Sequence, residues 1–93
     1  MKREDVFEVI RVEREYQDTV WPRDERRRRM YAFSAPHILL LEGYVQKLRD
    51  GWVSSGMNET ERQRTIAKIA AMAVRALEEI EAPDVDLSRI GLR

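Results

Sequence analysis

A run of cations with aromatic neighbours is the feature of this chain whose residue types could most readily do chemistry. Arg23 and four consecutive arginines, Arg26 to Arg29, lie between Trp21 and Tyr31. Guanidinium groups bind phosphate oxygens in pairs, and aromatic rings beside cations stack on nucleobases. The run therefore predicts a contact with a nucleotide. The alternative is a solvated connector whose nearby carboxylates partly neutralise the arginines and whose aromatic residues anchor it to the core.

Two further side chains could supply donors to the same ligand. His37 stands at the predicted start of a helix, where a phosphate is favoured, and Lys68 could contact a phosphate directly. The alternatives are a structural histidine and a lysine whose stem covers apolar surface while its head reaches water. The candidate nucleotide-binding residues are Arg26, Arg27, Arg28, Trp21, Tyr31, His37 and Lys68.

Cysteine and histidine, which serve in catalysis and in metal binding, are scarce in this chain. The chain has no cysteine and one histidine, which excludes disulfides, thiol catalysis and zinc sites built from cysteines. On the helix with the clearest apolar pattern, no second carboxylate lies between Glu42 and Asp50, whereas a metal-dependent enzyme built on such helices needs several close together. We therefore expect no catalytic residue, no metal site and no cofactor.

The clearest helix runs from Pro36 to Trp52, with start signals at Ser34 and Pro36. Its apolar residues recur at alternating steps of three and four, which places them on one face. This apolar seam consists of Ile38, Leu41, Val45, Leu48 and Trp52. We assign Trp52 to the core on this basis.

Two more helices flank this one. The first is predicted over residues 3–18 and stops before Pro22, with the pairs Arg11–Glu15 and Arg14–Asp18 on its outer face. The third begins at an Asn58 cap and continues to about residue 81. Its predicted buried face consists of Ile66, Ile69, Ala70, Ala73, Leu77 and Ile80, and its many alanines permit close approach of another helix.

The predicted fold class is all-α, with three main helices and a long connector between the first and second. Residues 1–82 form a single helical domain, and residues 83–93 form a C-terminal tail. A chain of 93 residues buries only roughly 60–65% of its unfolded surface, so a monomer would be marginal. We expect a homo-oligomer, a dimer or tetramer, assembled through the second and third helices.

Composition limits the partners and the compartment. Seventeen basic and seventeen acidic residues give a net charge of zero, which argues against general nucleic-acid binding because that requires a basic excess. No apolar run approaches the roughly 18 residues of a membrane span, and the N-terminus leads into no signal-peptide core. We expect a cytoplasmic protein that does not contact membranes.

Three local matches resemble the MazG-like all-α nucleotide pyrophosphohydrolases. Residues 12–18, VEREYQD, followed by Trp21, are similar to the ERERQD…W run that ends the first helix of many small members. Residues 38–45, ILLLEGYV, resemble the LxxEExGE helix, and residues 65–74, TIAKIAAMAV, resemble the ExxDVxxxxxx helix. The resemblance covers roughly residues 5–80 and points to a small, degenerate member, of a kind that includes phage-encoded proteins.

The chain departs from this family at the magnesium carboxylates. Members position magnesium with an ExxE pair on one helix and an ExxD pair on the next, whereas the aligned positions here are Gly43, Gln46, Thr65 and Lys68. Glu42 is adjacent to an expected position and points roughly 100° away around the helix. The resemblance therefore implies a nucleotide pocket without its metal.

Three functions remain open from the sequence. The first is a non-catalytic nucleotide-binding protein that sequesters a signalling nucleotide in a pocket between subunits. The second is an active magnesium-dependent nucleoside triphosphate pyrophosphohydrolase with an unconventional metal site. The third is a protein-interaction module that uses the apolar seam and the tail. The carboxylate deficit favours the first over the second, and the arginines with their aromatic neighbours favour it over the third.

Overall fold

The computed structural model describes residues 1–54 and 56–80 of the chain, and its regular elements in these ranges are all helices. They are α1 (Arg3–Val20), α2 (Glu25–Met30), α3 (Ser34–Val53) and α4 (Glu59–Glu79). The predicted all-α class is confirmed, and the three main helices lie where the sequence places them, within two residues at each end. The predicted domain boundary and the tail, residues 83–93, lie outside the described residues.

The connector between α1 and α3 differs from its prediction because it contains the six-residue helix α2. Its N-cap is Asp24, whose carboxylate accepts a hydrogen bond of 2.7 Å from the backbone N–H of Arg27. An aspartate at this position satisfies one of the N–H groups that a helix start leaves without a partner. The three-helix description with a long connector is therefore corrected to four helices.

The start of α4 follows the predicted cap. The Asn58 side chain accepts a 2.9 Å hydrogen bond from the backbone N–H of Glu61. Two acidic residues, Glu59 and Glu61, lie in the first turn, where they complement the positive end of the helix dipole. The local signal at this position was sufficient to predict where the helix begins.

The fold is organised around α4, which packs against both α1 and α3. The predicted buried face of α4 is only partly right, since Ile66 and Leu77 are mostly exposed, whereas Ile69, Ala70, Ala73 and Ile80 are half-buried. The side chains of α4 that are buried are Ala71, Met72, Arg75, Ala76 and Glu79. This face contains a charged pair, and the charges can be buried because each has partners of opposite charge or hydrogen-bond acceptors around it.

Arg14 of α1 belongs to the same buried layer. It forms the predicted ion pair with Asp18, but it is only 7% exposed and therefore does not lie on the outer face of the helix. Its guanidinium also makes a two-pronged contact with Glu78 of α4, at 2.8 and 3.0 Å. A second pair predicted on α1, between Arg11 and Glu15, is present and exposed.

The residues of the apolar seam of α3 differ in how deeply they are buried. Leu41 and Leu48 are half-buried, whereas Ile38, Val45 and Trp52 each expose half or more of their surface. The assignment of Trp52 to the core is therefore wrong for the single chain, in which it is 69% exposed. The reason is geometric, because α4 covers only one side of α3 and these residues lie on the other edge of the seam.

The length and hydropathy of a helix decide whether it could cross a membrane. No helix among the described residues is both long and apolar enough to cross a membrane.

Replacing Arg75 should destabilise the fold more than replacing an exposed arginine. Arg75→Ala should lower the free energy of unfolding by about 3–5 kcal/mol, because removing one partner of a buried ion pair leaves the other poorly compensated. Arg11→Ala is the matched control, since its pairs with Glu8 and Glu15 are exposed and contribute little. Urea denaturation followed by circular dichroism measures both, and equal midpoints for the two variants would contradict this account.

Candidate functional site

A cavity of about 310 Å³ lies between the C-terminal end of α1, the α2–α3 segment and α4. It is lined by Trp21, Arg27, Tyr31, His37, Leu40, Leu41, Tyr44, Met72 and Arg75. Its volume is at the lower end of the roughly 300–1,000 Å³ typical of small-molecule sites. Three aromatic rings, an imidazole and two guanidinium groups thus surround one concave space, with apolar side chains completing its wall.

Tyr31 is held in place by His37. The Nε2 atom of His37 lies 2.8 Å from the backbone carbonyl oxygen of Tyr31, and because that oxygen only accepts, Nε2 carries the proton and donates it. The two ring centroids are 5.1 Å apart, with the rings tilted by 56°. The buried histidine therefore joins the end of α2 to the start of α3 and orients one aromatic wall of the cavity.

Arg27 connects this wall to α4. Its guanidinium carbon lies 4.1 Å from the centroid of the Tyr31 ring, in cation–π contact. Its Nε and Nη2 atoms donate to the two carboxylate oxygens of Glu79 at 3.2 and 3.1 Å. The fork-shaped contact fixes the plane of the guanidinium, so α2 presents Arg27 to the cavity in a defined orientation.

Arg75 fixes the opposite wall. Its Nε donates to Glu79 at 2.5 Å, and its two terminal nitrogens donate to the backbone carbonyls of Gln17 and Trp21. The Gln17 carbonyl lies in the last turn of α1 and also accepts from the backbone N–H of Trp21, and the Trp21 carbonyl belongs to the C-cap residue that follows the helix. Arg75 therefore caps α1 from the side and positions Trp21, whose ring lies 6.0 Å from the guanidinium carbon.

Glu79 carries a negative charge at neutral pH. Burial alone would raise the pKa of Glu79, but hydrogen bonds from Arg27 and Arg75 outweigh burial and hold that pKa below its usual value. Its side chain is 4% exposed. One carboxylate thus neutralises half of the charge on two guanidinium groups that line the cavity.

Four of the seven predicted site residues come together here. Trp21, Arg27, Tyr31 and His37 all line the cavity. Lys68 lines a neighbouring groove between α1 and α4, and its ammonium lies 5.6 Å from the ring centroid of Tyr44, which lines the cavity.

The other two predicted residues face elsewhere. Arg28 forms an exposed contact of 3.5 Å with Glu25 and lines a shallow depression that also includes Arg23 and Glu79. Arg26 lies on an open surface beside Arg29 and Met30. The arginines of α2 fan around a short helix, so this structure directs one of the four into the cavity.

Tyr44, which lines the cavity, and the charged pair Arg75 and Glu79 were not among the predicted site residues. The signal for Arg75 and Glu79 was a pair of opposite charges four residues apart within an alanine-rich helix, a spacing that places both on one face. Such pairs occur on exposed helix faces as well, so spacing alone does not distinguish a buried pair from a solvated one.

The side chains that line the cavity offer aromatic faces, an imidazole and two guanidinium groups. Among the described residues that line it there is no carboxylate, serine, threonine or cysteine. In the described part of the chain, no group of three or more histidine, cysteine or acidic residues could hold a metal ion. Glu42, the carboxylate nearest to the magnesium positions of the resembled family, is exposed on α3. The arrangement suits a flat, electron-rich or anionic ring.

Comparison with known proteins identifies no family for this chain. No family model matches it, and neither does any curated protein or solved structure. Its function is therefore inferred from the cavity and its residues.

The acid stability of the fold should depend on Glu79. Because its pKa in the folded state lies below the ordinary value of 4.5, its contribution is present above that pH and is lost as pH falls through the folded-state pKa. Asp18 contributes in the same direction, since its hydrogen bond with Arg14 lowers its pKa. We expect urea midpoints to be steady near neutral pH and to fall below about pH 4.5.

Glu79→Gln should reduce this acid-dependent loss, because glutamine does not titrate, whereas Glu42→Gln should leave it unchanged. Urea titrations of the three proteins at a series of pH values between 7 and 3, on the scale of carboxylate titration, provide the measurement. If Glu79→Gln loses stability on acidification as steeply as the unaltered chain, the carboxylate is not held as described.

Proposed function

We propose that this chain is a non-catalytic nucleotide-binding protein whose ligand occupies the cavity between α2, α3 and α4. The observation that carries the proposal is the convergence of Trp21, Tyr31 and Tyr44 with the guanidinium of Arg27 around one concave space. A nucleobase has a π-face that stacks on such rings, and each stacked base is worth about 1–3 kcal/mol. Arg27 supplies a charge-assisted donor for the phosphate.

The resemblance to the MazG-like pyrophosphohydrolases supports a nucleotide as the ligand. It supports hydrolysis less well, because Lys68 and Gly43 stand where that family has magnesium carboxylates. A protein that binds a nucleotide without cleaving it can act by sequestering it, and we propose this role for a signalling nucleotide. The cavity lies within one chain, and a neighbouring subunit could complete its open side.

Removing an aromatic side chain that lines the cavity should weaken nucleotide binding, whereas removing one that lies outside the cavity should not. Tyr31→Ala should raise the dissociation constant about tenfold or more, because it removes a stacking surface worth about 1–3 kcal/mol. Phe33→Ala is the matched control, since this nearby aromatic is 71% exposed and does not line the cavity. Calorimetry with adenosine, guanosine, cytidine and uridine monophosphates gives the affinities.

The same titrations test the arginine. Arg27→Ala should weaken binding by about tenfold, as expected for one charge-assisted hydrogen bond, whereas Arg29→Ala, four-fifths exposed and paired with Glu25, should not. If no nucleotide binds at millimolar concentration, or if Tyr31→Ala and Arg27→Ala match their controls, the nucleotide proposal fails. The protein-interaction function would then be the better explanation.

We also propose that the chain assembles as a homo-oligomer through α3. Ile38, Val45 and Trp52 are seven residues apart, so they form one stripe along the helix, and each exposes half or more of its surface. Contiguous apolar surface of this kind usually marks an interface. A second copy that packs its own α3 against this stripe would bury it by symmetry.

A charge placed in the stripe should disrupt this assembly. Val45→Glu should shift the chain towards the monomer, because a carboxylate would be desolvated at the centre of the interface. Gln46→Glu introduces the same charge one position along α3, roughly 100° away around the helix, and should have little effect. Light scattering at tens of micromolar measures the mass, and a monomer for the unaltered chain would end this proposal.

A further inference from the structure

We infer that the cavity selects ligands of low negative charge, a nucleoside monophosphate or its cyclic ester, over nucleoside triphosphates, and that Glu79 sets this preference. The inference rests on the proposed function and deepens it, because it specifies how much phosphate the site accepts. It depends on the charges that the structure places around the cavity.

The net charge of the groups at and directly behind the cavity wall is small. Arg27 and Arg75 line the cavity and contribute two positive charges. Glu79 does not line it, but it is hydrogen-bonded to both guanidinium groups and contributes one negative charge. The group therefore offers a ligand a net charge of plus one.

The neighbouring charges alter this balance little. Arg14 and Arg23 are matched by Asp18 and Glu78, with which they pair at 2.5 to 3.1 Å. Lys68 does not line the cavity, but its ammonium lies 5.6 Å from the ring centroid of Tyr44, which does, and it adds one positive charge nearby.

The two cavity guanidinium groups are not equally able to bind a phosphate. Each of the three nitrogens of Arg75 donates to an acceptor within the protein, and its side chain is 3% exposed. Arg27 is 19% exposed and lies over the Tyr31 ring. A phosphate that approaches Arg27 must also approach Glu79, whose carboxylate occupies the adjacent edge of the same guanidinium.

Glu79 therefore acts on the ligand by repulsion. A terminal phosphate carries about −1.5 to −2 at neutral pH, which the cavity and Lys68 can balance. A triphosphate adds further negative charge beside a buried carboxylate, and like charges brought together at a binding site discriminate against the wrong ligand. The cavity volume of about 310 Å³ also suits a ring system with one short substituent.

Calorimetry in the presence of a metal chelator tests this inference, since bound magnesium would mask the phosphate charge. The probes are adenosine 3′,5′-cyclic monophosphate, adenosine 5′-monophosphate and adenosine triphosphate. We expect the triphosphate to bind at least about tenfold more weakly than the better of the other two. Glu79→Gln should reduce this difference in dissociation constant several-fold, because it removes the repelling charge while keeping an acceptor for Arg27.

The control is Glu61→Gln, which removes the same charge from α4 eighteen residues away, roughly 27 Å along the helix, and should leave the difference unchanged. A triphosphate that binds most tightly, and still depends on Tyr31, would overturn the charge inference and leave the proposed function intact. Absence of binding by all three probes would overturn both. If Glu79→Gln does not fold, the ranking of the three probes on the unaltered chain decides the matter.

Discussion

The buried ion pair between Arg75 and Glu79 is the interaction on which the rest of the structure depends. Both side chains lie on the face of α4 that packs inward, and each is nearly inaccessible to solvent. Through Arg75 the pair holds the last turn of α1, and through Arg27 it holds α2. Hydrogen bonds to one charged centre thus tie the end of α1 and the helix α2 to the central helix.

This arrangement also explains why the cavity exists. The side chains of α4 that line the cavity are Met72 and Arg75, and Arg75 is held against α1 and Glu79 by its hydrogen bonds and so does not fill the space. Trp21, which follows α1, and Tyr31, which follows α2, border that space because Arg75 and His37 hydrogen-bond to their backbone carbonyls. Burying a charged centre where an apolar core would otherwise lie costs desolvation free energy. The same charged centre orients the aromatic rings and guanidinium groups around the open cavity.

Much of the fold could be predicted from local signals, but the site could not be assembled from them. Pro22 and Asn58 locate the ends of helices because their effects are local to the backbone. The burial of Arg75 was not predictable from spacing, because an i,i+4 pair of opposite charges has the same sequence pattern whether the helix face is buried or exposed to solvent. The direction of Arg27 depends on where a six-residue helix docks, so the arginine run indicated the right segment and did not identify which of its members faces the cavity.

The most direct test of the central claim is a nuclear magnetic resonance titration of the isotopically labelled chain with adenosine 5′-monophosphate. The account predicts that the indole N–H of Trp21 and the guanidinium Nε–H signals of Arg27 and Arg75 shift in a saturable manner. Amides of the exposed α3 stripe around Val45 should change little. Shifts confined to that stripe, or no saturable shift at the three cavity signals, would contradict the claim that this cavity is the binding site.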